Sequence, residues 1–142
     1  MRCRDLMKSE VESFREHDTV DTIARRMRDL EFGFAPICDP DGRPVGTLTD
    51  RDLAIRVCAD DLQAGSTCAS EVMTRDVVAC RESEEIEAAE ELMARHQVAR
   101  VMVLNEAGHL VGVISLSDII DEEDDRRAVE TLRLVVDREV RG

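Results

Sequence analysis

The chain of 142 residues contains no tryptophan, no tyrosine and only three phenylalanines. Its hydrophobic residues, which make up 43% of the total, therefore have to form an aliphatic core of Val, Leu, Ile, Ala and Met. A chain of this length fits one ordinary domain or two small units that share a core. Such a core is ordinary packing material, so it says nothing about function.

Basic residues are also scarce relative to acidic ones. Lys and Arg number 19 against 32 Asp and Glu, which gives a formal net charge of -13. Nucleic-acid binding depends on Lys and Arg that neutralise phosphates, and anionic membrane surfaces attract basic segments. We therefore expect neither a nucleic acid nor a membrane as a partner. A small anionic ligand is compatible with this charge, because one or two local basic groups and backbone N–H donors can hold a phosphate.

The five cysteines include no C-x-x-C pair, and their number is odd. Because the chain begins without a signal-peptide pattern, we interpret them as reduced, mostly buried thiols of a cytoplasmic protein. No apolar run approaches the ~20 residues that span a bilayer. The three histidines show no metal-site spacing. With no nucleophile–base pair and no Walker loop, the sequence predicts a protein that is not an enzyme and holds no metal.

What the sequence does contain is a repeat with a shift of 66 residues. The run Gly46–Asp52, Gly-Thr-Leu-Thr-Asp-Arg-Asp, returns at Gly112–Asp118 as Gly-Val-Ile-Ser-Leu-Ser-Asp. The same shift aligns Leu6-Met7 with Val72-Met73, Val20 with Ile86, Met27 with Met93, and Gly42 with Gly108. Because no gap is needed between residues 5 and 53, the register indicates a true tandem repeat.

Each copy is predicted to form a β-α-β-β-α unit. In the first copy we expect an extended stretch Ser9–Phe14 and then a helix capped by Asp18. One face of this helix carries Val20, Ile23, Ala24, Met27 and Leu30. Strands Phe34–Cys38 and Pro44–Thr49 follow around a turn at Asp39–Gly42, and a helix Arg51–Ala59 ends the unit. In the second copy we expect an extended stretch Arg75–Cys80 and then a helix that starts near Ser83 or Glu84. This helix carries Ile86, Ala89, Leu92 and Met93 on its apolar face. Strands Arg100–Leu104 and Leu110–Ser115 follow around a turn at Asn105–Gly108, and a helix begins at Ser117.

The predicted organisation is two repeats, a linker and a terminal helix. Residues 1–60 form the first domain, 61–70 a Gly-, Ser- and Asp-containing linker, 71–121 the second domain and 122–142 a C-terminal helix. One copy is too small for a robust core, so two copies packed sheet to sheet would share one. The terminal helix carries an apolar stripe of Val129, Leu132, Val136 and Val140. It packs either on its own domain or on a second subunit, and the latter predicts a homodimer.

The tandem units, the run Gly46–Asp52 and the run Glu71-Val-Met-Thr74 together resemble the paired CBS domains, named after cystathionine β-synthase and often called a Bateman module. The resemblance covers roughly residues 3–121 and is closest to stand-alone bacterial proteins with two such domains. It implies an α/β (α+β) fold of two β-α-β-β-α units, in a pseudo-twofold arrangement and packed through their sheets, plus the C-terminal helix. It also implies a regulatory module for ligand or energy sensing rather than an enzyme.

Proteins of this family bind adenosine-containing ligands, such as AMP, ADP, ATP or S-adenosylmethionine, in two clefts between the paired units. The aspartate of a Ser/Thr-x-x-Asp motif takes the ribose hydroxyls, and the hydroxyl residue lies near the phosphate. The chemistry suits these residues, because a carboxylate can accept from both hydroxyls of a cis-diol. The resemblance thus implies a regulatory ligand of the adenine-nucleotide or S-adenosylmethionine kind and no required cofactor.

Carried over to this sequence, the resemblance assigns eighteen residues to ligand binding. One cleft takes Thr49, Arg51 and Asp52, with an adenine wall of Thr74, Val77, Val78, Val98 and Ala99. The other takes Val113, Ser115, Ser117 and Asp118, with a wall of Lys8, Val11, Glu12, Phe32 and Gly33. Arg100 stands where the family often has a basic residue that faces phosphates.

The sequence departs from the family pattern at a few of these places. Glu12 and Ser13 replace more usual apolar residues, and Phe34, in register with Arg100, cannot hold a phosphate. We therefore expect two clefts of unequal affinity.

Each motif also has a simpler interpretation. Thr49 and Asp52 are common helix caps, and Arg51 and Arg100 are compatible with surface charges of little energetic weight. The leading hypothesis is a module that binds an adenosine ligand and signals in trans to an unidentified protein target. The alternative is a dimerisation or interaction scaffold whose clefts are empty and which ignores nucleotides.

Overall fold

A computed structural model describes residues 1–122 and 129–136 and shows a mixed α/β protein with two three-stranded sheets. The chain divides into two compact units. The first unit is Glu12–Val77, and the second unit combines Met1–Val11 with the chain from Val78 onward. Each unit therefore contains one copy of the repeat and the leading segment of the other copy, where leading segments are residues 1–11 and 67–77.

The first unit contains one sheet and four helical stretches. Its elements are strand β1 (Phe14–Arg15), helix α2 (Val20–Leu30), strands β2 (Phe34–Cys38) and β3 (Pro44–Thr49), helix α3 (Asp50–Asp52) that continues as a π-helix (Leu53–Cys58), a 3₁₀ turn (Ala64–Ser66) and helix α4 (Ala69–Val72). The sheet order is β1-β2-β3, with β1 parallel and β3 antiparallel to β2.

The second unit repeats this plan. Its elements are helix α1 (Cys3–Leu6), strand β4 (Ala79–Arg81), helix α5 (Ile86–His96), strands β5 (Arg100–Leu104) and β6 (Leu110–Ser115), and helix α6 (Leu116–Glu122). Residues 129–136 are also helical. The sheet order β4-β5-β6 and the strand directions match the first sheet, which confirms the mixed α/β class and the repeat.

Each unit has its own core, rather than the single shared core that was predicted, and both cores are aliphatic, as the lack of aromatics predicts. The first core is built from Val20, Ile23, Met27, Ala35, Ile37, Leu48, Val57 and Met73 around Phe14. The second contains Ile86, Ala89, Met93, Val101, Val103, Ile114 and Ile119 with Cys3, Cys80 and Val135. Burying these side chains supplies the main driving force for each unit.

The leading segments are held on the sheets by backbone hydrogen bonds. Thr74 exchanges two bonds of 2.9 Å with Thr47 of β3. Lys8 exchanges bonds of 2.9 and 3.0 Å with Val113 of β6. Each leading segment thus lies beside the strand that runs into a hydroxyl-x-x-Asp motif.

The predicted cap of α2 is wrong. Asp18 does not cap α2, since its carboxylate accepts from the backbone N–H of Arg15 and closes the turn before the helix. Glu84 does the same with Arg81 before α5. The two turns are equivalent under the repeat, so the polar residue ahead of each helix stabilises the turn rather than the helix start.

The predicted apolar face of α2 is only partly correct. Val20, Ile23 and Met27 are buried, whereas Ala24 and Leu30 are exposed. The extended stretches are shorter than predicted, because only Phe14–Arg15 and Ala79–Arg81 pair as strands. The hairpin turns are confirmed, with Gly42 and Gly108 at positive φ.

The terminal helix is seen only in part. Of its predicted stripe, Val129, Leu132 and Val136 are exposed and Val140 lies outside the described residues. The buried positions are instead Thr131 and Val135, and Val135 joins the core of the second unit. The predicted linker lies within the first unit, where Thr67 and Ala69 are buried. In the part of the chain that is described, no helix is long and apolar enough to cross a membrane.

Candidate functional site

In the first unit, the hydroxyl-x-x-Asp motif closes a reciprocal cap where β3 runs into α3. The Thr49 N–H donates to Asp52 Oδ2 at 2.9 Å, and the Asp52 N–H donates to Thr49 Oγ1 at 3.1 Å. These bonds satisfy two backbone donors that the helix start would otherwise leave free. The Asp52 side chain is only 16% exposed, so the fold holds the carboxylate in one place.

The second unit repeats this cap where β6 runs into α6. The Ser115 N–H donates to Asp118 Oδ2 at 3.0 Å, and the Asp118 N–H donates to Ser115 Oγ at 3.3 Å. The hydroxyls of Ser115 and Ser117 lie 2.9 Å apart and share a hydrogen bond. Asp118 is 17% exposed, which matches Asp52. The capping interpretation of Thr49 and Asp52 is therefore confirmed, and the second motif forms the same cap.

The cap uses only one oxygen of each carboxylate. Asp52 Oδ1 lies 3.8 Å from Arg56 Nε, and Asp118 Oδ1 lies 3.9 Å from Lys8 Nζ. Both distances exceed that of a direct hydrogen bond. Each Oδ1 thus faces a cation and keeps acceptor capacity for hydroxyl donors, so capping and ligand binding are compatible on one side chain.

The two motifs differ in the charges around them. In the first unit, Arg56 Nη1 also donates to the Val72 carbonyl at 2.9 Å, which ties this guanidinium to the backbone. In the second unit, Lys8 is 73% exposed and reaches Asp118 from the leading segment. Among the described residues, neither Arg51 nor Arg100 forms an ion pair, and both are exposed.

Strand register places different residues opposite the two hydroxyls. Arg100 pairs with Ser115 across β5 and β6, and Phe34 pairs with Thr49 across β2 and β3. The predicted equivalence of Phe34 and Arg100 is thereby confirmed. The Ser115 motif has a cation at this register position, and the Thr49 motif has an apolar ring.

The loop before the middle strand is bonded to the same helix start in each unit. The Asp50 N–H donates to the Gly33 carbonyl at 3.1 Å, and the Leu116 N–H donates to the Ala99 carbonyl at 2.8 Å. The fold therefore brings Gly33 beside Thr49, and Ala99 beside Ser115. A Cβ at Gly33 would lie 2.8 Å from Asp50 Oδ2, so a larger residue there would displace that carboxylate.

Glycine in the last strand of each unit permits the close approach of the leading segment. A Cβ at Gly46 would lie 2.7 Å from the Thr74 carbonyl oxygen and 2.9 Å from Met73 Sδ. A Cβ at Gly112 would lie 2.6 Å from Met7 Sδ and 2.9 Å from the Lys8 carbonyl oxygen. The repeated glycine thus positions the segments that carry Thr74 and Lys8.

The remaining predicted site residues divide between the units. Glu12, Phe32, Gly33, Thr74 and Val77 belong to the first unit, and Lys8, Val11, Val78, Val98, Ala99, Arg100 and Val113 belong to the second. Glu12 is engaged by Arg26, whose Nη2 lies 2.6 Å from Glu12 Oε1. The Phe32 ring stacks on Phe14 with centroids 6.4 Å apart. The grouping of these residues into two clefts stays a prediction.

Sequence reasoning missed two residues of the site. Arg56 follows Asp52 by four positions, a helical spacing that would have identified it as a partner of the carboxylate. The carboxylate of Asp50 fills the space beside Gly33. This contact depends on how the loop bends, so no sequence pattern indicates it. In the described residues no group of three or more His, Cys, Asp or Glu side chains is placed to hold a metal ion.

Comparison with known proteins gives this architecture a family. The CBS domain model matches residues 3–58 and again residues 69–125. Hypoxic response protein 1 of Mycobacterium tuberculosis is 32% identical over 132 residues, which is 93% of this chain and 92% of that protein. A crystal structure of Hypoxic Response Protein I with two coordinated zinc ions has a TM-score of 0.79 at 33% identity and covers 87% of this chain and 100% of that one.

Two further crystal structures of similar fold contain adenosine compounds. The CBS domain protein PAE2072 from Pyrobaculum aerophilum, complexed with AMP, has a TM-score of 0.77 at 26% identity over 94% of this chain and 99% of that one. The CBS domain pair of MJ0100, in complex with 5-methylthioadenosine and S-adenosyl-L-methionine, has a TM-score of 0.74 at 21% identity over 85% of this chain and 98% of that one, a likeness of fold. Family model, sequence relatives and fold agree, and the chain belongs to the CBS domain family, with two CBS domains in tandem.

Proposed function

We propose that the chain is a regulatory module that binds an adenosine-containing ligand at its two hydroxyl-x-x-Asp motifs and passes the signal to a separate protein. The observation that carries the proposal is the Oδ1 of Asp52 and of Asp118, which faces a cation but is not used by the cap that holds each carboxylate through its other oxygen. A carboxylate oxygen so fixed accepts hydrogen bonds from ribose hydroxyls at little cost in side-chain entropy.

Cations near each motif support a phosphorylated ligand. Arg51 follows Thr49, and Arg100 pairs in register with Ser115, and both side chains are exposed. Lys8 lies near Asp118. These groups supply local positive charge within a chain of net charge -13. The AMP bound to PAE2072 is a compound of this class.

Regulation follows from differential affinity. A ligand shifts a protein between two arrangements only when it binds one of them more tightly. Each leading segment hydrogen-bonds to one copy of the repeat and continues along the chain into the other copy. A ligand that engages Asp118 and Lys8 would therefore bias the position of the leading segment, which is the element that we propose to carry the signal.

Isothermal titration calorimetry with adenosine, AMP, ADP, ATP and S-adenosylmethionine tests the proposal. We expect at least one of them to bind, and the double variant Asp52→Asn/Asp118→Asn to lose that binding while it keeps its melting temperature, because an Asn oxygen still accepts the capping N–H. The matched control is Asp60→Asn/Asp121→Asn, which changes the charge equally at exposed positions. If no adenosine compound binds, or if both double variants bind like the wild type, the proposal is wrong.

A second candidate function is a self-associating scaffold that ignores nucleotides. It is favoured by the apolar residues Val129, Leu132 and Val136, which are 50%, 40% and 41% exposed on the terminal helix. It predicts a homodimer that Leu132→Asp breaks and Ala107→Asp, in an exposed turn, does not. Sedimentation velocity with and without the nucleotide identified by calorimetry separates the two functions, since a scaffold sediments identically in both.

A further inference from the structure

Cys3 and Cys80 lie side by side in the core of the second unit. Their Sγ atoms are 3.6 Å apart, although the residues are 77 positions apart in the sequence. Cys3 is 0% exposed and Cys80 is 4% exposed. The equivalent positions in the first unit hold Ala69 and Phe14, which are buried and apolar. The fold therefore accommodates hydrocarbon at this place, and the paired thiols distinguish the second unit from the first.

The two thiols are chemically unequal. The Cys80 thiol donates a hydrogen bond to the Cys3 sulfur, and this bond lowers the pKa of Cys3 against the opposing effect of burial. The same bond and burial raise the pKa of Cys80. Burial, together with the neighbouring Asp39 carboxylate, raises the pKa of Cys38, which accepts no such bond from a thiol among the described residues. Cys3 is thus the better nucleophile of the pair, and Cys80 stands within reach to resolve an intermediate on it.

We propose that Cys3 and Cys80 form a reversible disulfide when the protein meets a hydroperoxide. The Cys3 thiolate attacks one peroxide oxygen, the O–O bond breaks, and the departing hydroxide takes up a proton to become water. Cys3 is then a sulfenic acid. The Cys80 sulfur attacks Cys3 Sγ, the S–O bond breaks, and the hydroxyl leaves as water with the Cys80 proton. Two thiols are oxidised, and one hydrogen peroxide is reduced to two waters.

The pair is placed for this reaction at a part of the chain that can adjust. A disulfide needs its sulfurs ~2.05 Å apart, so the present separation has to close by about 1.5 Å. Cys3 belongs to the four-residue helix α1, which is attached to the loop before α5 by the bonds from Cys3 N–H to the Glu84 carbonyl at 2.8 Å and from Arg4 N–H to the Glu82 carbonyl at 3.0 Å. A helix of four residues with so few hydrogen bonds of its own opens locally at low cost, which gives both peroxide access and movement.

The disulfide would fasten the first leading segment to β4. That segment carries Met7 against Gly112 and Lys8 against Asp118. In the reduced protein the attachment rests on hydrogen bonds and packing, and in the oxidised protein it is covalent. The modification would therefore restrict opening of the segment, whether or not a ligand is bound.

The test uses a full-length variant with Cys38→Ala, Cys58→Ser and Cys68→Ser, which keeps only Cys3 and Cys80. The folded variant is treated with hydrogen peroxide, quenched with catalase, blocked with N-ethylmaleimide and analysed by intact mass and peptide mapping. We expect the loss of two hydrogen atoms, a peptide that links Cys3 to Cys80, and reversal by dithiothreitol. Closure of so long a loop should raise the melting temperature by roughly 5–10 °C, and hydrogen exchange in residues 1–11 should slow.

Two further variants on the same background serve as controls. With Cys80→Ala, Cys3 should stop at a sulfenic acid that dimedone traps, with no rise in melting temperature. Cys3→Ala, which copies Ala69 of the first unit, should leave Cys80 unreactive. The proposal is overturned if the linked peptide forms only in urea, if peroxide takes Cys3 to a sulfinic acid while Cys80 stays a thiol, or if the Cys80→Ala protein gains the same stability.

Discussion

At the scale of single residues, the two motif aspartates divide their work between two oxygens. Asp118 Oδ2 accepts from the Ser115 N–H at 3.0 Å and fixes the side chain, while Oδ1 faces Lys8 at 3.9 Å. The sequence alone offered capping and ligand binding as competing interpretations. The structure shows the caps, and a capped carboxylate has already lost rotamer freedom, so under the proposed function it would bind a ligand at little further entropic cost.

Asp118→Asn should separate these two tasks. The amide oxygen keeps the cap, so stability should change little, but the amide NH₂ can no longer accept from the ribose hydroxyls. We expect an affinity loss of about 10- to 100-fold for the bound nucleotide, the usual range for a hydrogen bond to a charged group. Calorimetry with the 2′-deoxy nucleotide completes a double-mutant cycle of protein and ligand. Removal of the 2′-hydroxyl should weaken binding to the wild type, but should weaken binding to the Asp118→Asn variant little further. Equal losses in both proteins would show that Asp118 does not contact this hydroxyl.

Gly112→Ala should detach the first leading segment. The added Cβ would lie 2.9 Å from the Lys8 carbonyl oxygen, which is backbone and cannot rotate away. We expect a loss of about 1–3 kcal/mol in unfolding free energy, measured by urea titration. Gly65→Ala is the control, since its Cβ would meet only Asp21 Oδ2 at 3.7 Å. A Gly112→Ala protein as stable as the Gly65→Ala protein would contradict the close approach.

At the scale of elements, both long helices end on a residue in the left-handed conformation. Glu31 has φ 56 and ψ 51 after α2, and Gln97 has φ 53 and ψ 50 after α5. Glycine takes this conformation without a steric penalty. Glu31→Gly should therefore raise the unfolding free energy by about 1 kcal/mol. Arg28→Gly, inside the last turn of α2, should lower it by a similar amount. Loss of stability in both variants would show that helix propensity outweighs the cap.

The start of α2 should be sensitive to acid. The pKa of Asp21 lies below its usual value, first because the Thr19 hydroxyl donates to its carboxylate and then through Thr22 N–H and Arg25. Folding thus favours the ionised form. The stability from Asp21 is complete above the unfolded-state pKa, ~3.9, and is lost as the pH falls through the lower folded-state value.

Thermal melts of wild type and Asp21→Asn between about pH 7 and pH 2 check this expectation. The difference in stability between them should be largest near neutral pH and shrink below about pH 4. Thr19→Val, which removes the hydroxyl donor and keeps the carboxylate, should give a profile between the two. A difference that stays constant down to about pH 2 would mean that the hydrogen bonds do not depend on ionisation.

Local chemistry explains which elements were predictable from sequence. The turns at Asp39–Gly42 and Asn105–Gly108 follow from their own residues, since the first side chain of each accepts from two backbone N–H groups of its turn. The strands beside them follow from their apolar runs. The constant shift of 66 residues then extends each assignment from one copy to the other.

The elements that sequence reasoning missed depend on distant parts of the chain. Helices α1 and α4 have four residues each and start on hydrogen bonds to the Glu84 and Asp18 carbonyls, far away in sequence. No local pattern predicts so short a helix. The site shows the same division: the motif residues are readable from the repeat, whereas the role of Asp50 beside Gly33 depends on how the loop folds.

At the scale of the whole molecule, the repeat is more regular in backbone than in chemistry. The two sheets share order and register, and Gly46 and Gly112 make the same close approach. The differences lie in side chains: at the motifs Arg100 corresponds to Phe34, and in the cores the Cys3–Cys80 pair corresponds to Ala69 and Phe14. Similar backbones therefore carry chemically different side chains at the two motifs.

This inequality leads to a prediction about phosphate selectivity, which rests on the proposed function. The Ser115 motif has two exposed cations, Arg100 opposite it and Lys8 beside Asp118. The Thr49 motif has Arg51, but Phe34 stands opposite it and Arg56 is tied to the Val72 carbonyl. We expect calorimetry to resolve two sites for ATP, with the tighter one lost in Asp118→Asn and the weaker one lost in Asp52→Asn. For adenosine, which has no phosphate, the two affinities should converge.

Exchange of the two register residues tests the cause of the inequality. Arg100→Phe should weaken ATP at the tighter site by about 10-fold or more, the effect of one charge-assisted hydrogen bond, and should leave adenosine unaffected. Phe34→Arg should strengthen ATP at the weaker site, and the double exchange should reverse the order of the sites. The affinity for ATP that Phe34→Arg adds should fall as the salt concentration is raised, because salt screens exposed charges. If Arg100→Phe weakens adenosine and ATP equally, Arg100 shapes the site without contacting phosphate, and the difference between the motifs lies in their walls rather than in their charge.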